Sequence, residues 1–189
     1  MKKIYFTLIT AVLLSSCGAT VKNTNHMQGS SKEIKQIIQA DNTDLYLVYH
    51  DQKINVFIDS KSYKKFLKFG DITYRRTFIG AGPNNKTIVY GLTKNDQSKN
   101  TNPAKEIMSG KLKVADNFYA EVFKQEEKRF YVFSTWNDFD SFIKKGIDNL
   151  RFSEIDTGPR GTTVIYILNK SNEQTKPTKA IARFKANHY

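Results

Sequence analysis

The sequence predicts an α+β domain made of two tandem copies of an α-β-β-α-β-β unit, with antiparallel sheet(s) packed against helices about a pseudo-twofold axis. Three observations predict it. Sliding the chain by 76 residues aligns Lys53–Lys94 with Arg129–Lys170 without a gap, and thirteen of those 42 positions are identical. Each copy carries paired runs rich in Tyr, Phe, Val and Ile, the composition of strands joined as hairpins. Between the pairs lies one stretch with helical spacing that ends at a glycine, Gly70 or Gly146.

The first copy spans about residues 32–94. Ser30 and Glu33 have capping-box spacing before Ile34, Ile37 and Ile38, which predicts a short opening helix. Strands are expected over about 44–50 and 53–58. A second helix follows, with Tyr63, Phe66 and Leu67 on its apolar stripe and Lys61, Lys64, Lys65 and Lys68 on the opposite one. Strands at about 72–80 and 86–93 are joined through Gly82-Pro83, where proline suits a turn and not a central strand.

The second copy spans about residues 105–170. Asn102 is placed to cap a helix with Pro103 at its first position. Strands are expected at 117–124 and 128–134, then a helix bearing Trp136, Phe139, Phe142 and Ile143, then strands at 149–156 and 162–169. Upstream of the gapless stretch the offset is read as 73, pairing Leu45-Tyr46 with Phe118-Tyr119. The difference is assigned to a longer first hairpin containing Gln125-Glu126-Glu127. A C-terminal helix is expected over about 177–189. The repeats and this helix are read as one domain over 32–189, since 75 residues alone make a marginal core.

Upstream of the domain, Lys2 and Lys3 precede an apolar run, Ile4–Leu14, broken only by two threonines. Such a run has the length of a secretory leader and is too short to span a bilayer. Leu14-Ser15-Ser16-Cys17 follows and resembles the lipobox of bacterial lipoprotein precursors. The resemblance covers the leader alone. It implies cleavage after residue 16, lipidation of Cys17 on sulfur, and stable anchoring through two or more acyl chains. Gly18 in place of an acidic residue resembles lipoproteins sent to the outer membrane of diderm bacteria, facing the periplasm. Residues 17–31 read as the lipidated cysteine and a polar, flexible tether.

Composition narrows the chemistry. The precursor has a formal net charge of +12 and 39% hydrophobic residues, enough for a core and too many for a disordered chain. A single cysteine allows no internal disulfide. Three scattered histidines, His26, His50 and His188, predict no metal site, and no cofactor motif is present. No nucleophile motif occurs, and Asp138 and Asp140 diverge on their helix, so no catalytic residues are assigned. Residues 32–94 hold 11 basic and 6 acidic side chains, whereas 95–170 hold 12 and 11. The excess lies in the first copy. The candidate contacts for an anionic partner are therefore Lys61, Lys64, Lys65 and Lys68, together with Arg75 and Arg151, a matched pair in two expected strands. The sequence points to a membrane-anchored, non-catalytic binding lipoprotein of the cell envelope, one concrete form of which is an inhibitor or immunity-type protein that binds another protein. The alternative is a structural protein that binds anionic glycolipid or peptidoglycan through its basic surface. Nucleic acid is not expected as a partner.

Overall fold

The computed structural model describes residues 44–146 and 150–189. Cys17 with its leader, the tether over 17–31 and the helix expected near 34–38 lie outside the described residues. The eight strands are β1 (Asp44–His50), β2 (Lys53–Phe57), β3 (Arg75–Phe78), β4 (Thr87–Gly91), β5 (Tyr119–Lys124), β6 (Arg129–Phe133), β7 (Arg151–Gly158) and β8 (Thr162–Ile167). The helices are α1 (Ser60–Phe69), α2 (Pro103–Met108), α3 (Trp136–Lys145) and α4 (Thr178–His188). The strands form one sheet in the order β3-β4-β2-β1-β5-β6-β8-β7, so the architecture is α+β.

The sheet is mixed and not antiparallel. The four hairpins β1–β2, β3–β4, β5–β6 and β7–β8 pair antiparallel, as their short loops require. Three further pairings, β1–β5, β2–β4 and β6–β8, are parallel. The β2–β4 and β6–β8 pairings arise because a helix carries the chain past the neighbouring position before the next hairpin folds back into it; β1–β5 instead joins the first four strands to the last four. After β2, α1 crosses over, β3 takes the edge, and β4 returns beside β2 in the same direction. The path from β6 through α3 to β7 and β8 repeats that course.

Helices cover both faces of the sheet, so the central strands are buried on both sides and read as unbroken apolar runs. In β1, Leu45 and Leu47 point to a core closed by α2 and α3, with Ala104, Ile107, Phe139 and Phe142. Tyr46 and Val48 point to the opposite core, closed by α1 and α4, with Tyr63, Phe66, Ile181 and Phe184. Gly91 in β4 is a position of close approach, because a Cβ there would collide with the Phe57 ring.

The two edges are short or irregular. β3 has four residues, and β7 breaks register between Glu154 and Gly158, with Asp156 at a φ of 56°. A bulged edge resists addition of a foreign strand.

Candidate binding cleft

Helix α1 begins because the Asp59 carboxylate accepts the free amides of Lys61 (3.2 Å) and Ser62 (2.8 Å). It ends at Gly70, whose φ of 73° suits the left-handed cap and whose amide donates to Phe66 O. Between these caps the 3.6-residue period turns Tyr63 and Phe66 into the core. Lys61, Lys64, Lys65 and Lys68 are all exposed. The apolar anchor thus fixes which way the lysines face, and Lys64 and Lys68 border a cleft.

That cleft has a volume of about 270 Å³ and lies between α1, the sheet and α4. Phe123 and Phe130 form its floor, stacked with centroids 4.3 Å apart across β5 and β6. The β7–β8 turn forms one wall. There Arg160 holds a φ of 59° and donates from Nη2 to Leu67 O at 2.6 Å, clamping the turn to α1. His188 and Asn187 of α4 close the end. An adjoining groove of about 560 Å³ shares Leu67, Lys68, Phe123, Arg160 and Thr162 with the cleft and brings in Lys128. Neither lining contains a carboxylate, while Lys64, Lys68, Lys128 and Arg160 contribute four cations. An apolar floor under a purely cationic rim attracts a negative group that carries an apolar anchor.

Beneath the end wall, Glu121 is fully buried in β5. Its carboxylate accepts from Tyr63 Oη (2.9 Å), Tyr119 Oη (2.7 Å) and Asn187 Nδ2 (3.0 Å), and His188 Nε2 lies 2.7 Å away. Burial first, and then the charge of Glu121, push the Tyr63 and Tyr119 phenols well above the usual range, so both stay protonated donors. The network ties α4 to the sheet. Arg183 strengthens the tie by pairing with Asp44 and donating to Asn117 O at 3.1 Å.

Arg75 and Arg151 do not share this site. They occupy β3 and β7, opposite edges of the sheet and seven strand spacings apart, a separation of roughly 34 Å at the usual spacing. No single small ligand contacts both. Arg75 pairs with Asp71 at 2.8 Å and donates to Ile72 O. Lys61 and Lys65 stand on the outer surface of α1 and line neither cavity.

The helical stripe gave sequence reasoning Lys64 and Lys68. It missed Arg160, Lys128, Glu121 and His188, which come from other elements. The one local signal was the Gly158-Pro159-Arg160-Gly161 turn, which had to place Arg160 at a hairpin tip. Among the described residues no helix is long and apolar enough to cross a membrane. No family model, no curated protein and no solved structure matches the chain.

Proposed function

We propose that the chain is a lipid-anchored, non-catalytic binding protein of the cell envelope, held through Cys17, whose cleft receives an acidic segment of a partner protein. An inhibitor or immunity role is one form of this reading. The observation that carries it is the cationic, carboxylate-free rim over an apolar floor. A cleft of about 270 Å³ suits one or two anchoring side chains better than the several acyl chains of a glycolipid.

The proposal includes the tandem duplication, which strand registers support. Lys53 faces Thr87, and Arg129 faces Thr163; Arg75 faces Gly91, and Arg151 faces Ile167. Every member of one pair lies 76 residues from its counterpart. In the first hairpins Tyr46 faces Phe57 and Ala120 faces Phe133. The offset in β1 and β5 is therefore 74 and not 73, and the second loop is longer by two residues. A slip of one moves every side chain to the other face, so the distinction matters. The repeating order within the described residues is β-β-α-β-β-α, with α2 and α4 each closing a half. The halves differ in charge at the helix. Lys64 corresponds to Asp140, which pairs with Lys144 at 2.6 Å, so only the first half offers free cations at this position.

A second reading rests on Lys61 and Lys65, which extend the basic surface of α1 away from the cleft. This surface suits anionic glycolipid or peptidoglycan, and salt would release such binding. Affinity capture with the full-length protein separates the readings. The Lys64→Gln/Lys68→Gln/Arg160→Gln variant should lose a stoichiometric protein partner that the native chain retains. Equal capture by both chains would exclude the cleft. Salt-sensitive sedimentation with anionic liposomes, lost in Lys61→Gln/Lys65→Gln, would favour the second reading. Anchoring has its own check: Cys17→Ser should no longer partition into detergent.

A further inference from the structure

We propose that His50, Asp51 and Glu126 form a binding site for one divalent first-row transition-metal ion of the zinc class. The sequence separates Glu126 from the other two by about 75 positions, and only the parallel pairing of β1 with β5 unites them. That pairing sets the β1–β2 turn beside the β5–β6 turn, where the Gln125 amide donates to Tyr49 O at 3.2 Å. Asp51 and Gln52 make a tight two-residue turn with φ values of 47° and 57°, which aims the Asp51 carboxylate back at His50.

One donor atom from each of the three side chains lies within 4.8 Å of the other two. His50 Nε2 is 3.1 Å from Asp51 Oδ2, and its Nδ1 is 4.0 Å from Glu126 Oε1. Only one imidazole nitrogen can face a common ion, so one of the two carboxylates must swing to the nitrogen it does not now face; donors that bind a common zinc ion at about 2.0–2.2 Å stand roughly 3–4 Å apart. One imidazole and two carboxylates suit zinc and its neighbours, with the remaining positions left to water. The site faces an open hollow of about 730 Å³, leaving an entry path.

Lys86 and Lys124 border the same hollow, but both are engaged elsewhere. Lys86 Nζ donates to Gln52 Oε1 at 3.0 Å, and Lys124 Nζ binds Glu127 at 3.0 Å. The Asp51 carboxylate faces His50 and solvent, and Glu126 Oε1 accepts from the Asp51 amide at 3.4 Å, which holds the two hairpin tips together. A bound ion would staple the two hairpins across the junction between the halves of the sheet. His50 also lines the groove that adjoins the α1 cleft, but Asp51 and Glu126 do not, and zinc binding is read without reference to the role of the cleft.

The test is calorimetric titration of the full-length Cys17→Ser chain, stripped of metal, with zinc chloride. The expected result is one equivalent bound and a rise in melting temperature. His50→Ala and Glu126→Gln should each weaken binding at least tenfold and abolish the thermal shift. Both positions are at the surface, so the metal-free variants should melt with the parent. Absence of stoichiometric binding, or equal binding by His50→Ala, would overturn the proposal.

Discussion

His188→Ala would leave the fully buried Glu121 carboxylate without its imidazole neighbour and open the end of the cleft. Leaving a buried acceptor one hydrogen-bond partner short costs about 1–3 kcal/mol, so urea unfolding should show a loss of that size. A loss under about 1 kcal/mol would mean that Tyr63, Tyr119 and Asn187 satisfy Glu121 unaided. The same residues set the alkaline limit. Burial, with carboxylate neighbours, raises the phenols of Tyr46, Tyr63, Tyr119 and Tyr166, while burial alone pushes Tyr49 up to about 12. Below about pH 10 both folded and unfolded chains hold these protons. Above it the unfolded chain releases them and the folded chain does not, so stability falls as pH rises. Tyrosinate absorbance from these side chains should appear together with the unfolding transition; phenolate formation in the folded chain would contradict their placement. At the acid end, burial of Glu127 is outweighed by hydrogen bonds from Tyr131 and Lys124, and its carboxyl sits below the usual range. Its contribution is present above the ordinary carboxyl range and fades as pH drops.

Each helix is held by a nameable device. Asp59→Ala removes the acceptor for two amides at the start of α1 and should cost about 1 kcal/mol, measured by thermal melting. Deleting residues 183–189 should be far more severe. It takes Phe184, Asn187 and His188 from one core and from Glu121 together, and a cooperative melt of the truncated chain would contradict the anchoring role of α4. The hairpins and helices were legible because their signals are local: alternation, the lysine stripe against Tyr63 and Phe66, and Asn102 before Pro103. The parallel pairings were not legible. Nothing near β4 in the sequence states that it inserts beside β2, because that pairing is chosen by the path of α1 and by burial on both faces. On the proposed duplication the β1 offset is 74 and not 73, because Leu45-Tyr46 and Phe118-Tyr119 match in type but not in ladder position. The cleft was half legible for the same reason. Lys64 and Lys68 share a helix, whereas Arg160 reaches Leu67 O across 93 positions of sequence.

At the scale of the molecule, one sheet covered on both faces turns the chain's positive charge into a directional property. The faces are structurally alike, with two helices on each, yet α1 carries four exposed lysines and no acid, whereas α3 carries Asp138 and Asp140, the latter paired with Lys144. Opposite edges keep Arg75 and Arg151 apart, so the matched arginines serve two separate edges and not one anion site. Attraction to an acidic partner should therefore come from one side. The most direct measurement places a photo-reactive side chain at Lys64 or at Lys144 in full-length protein within cells that make it. A discrete cross-linked protein adduct is expected from position 64 and none from position 144. No adduct at 64, or the same adduct from both positions, would contradict it.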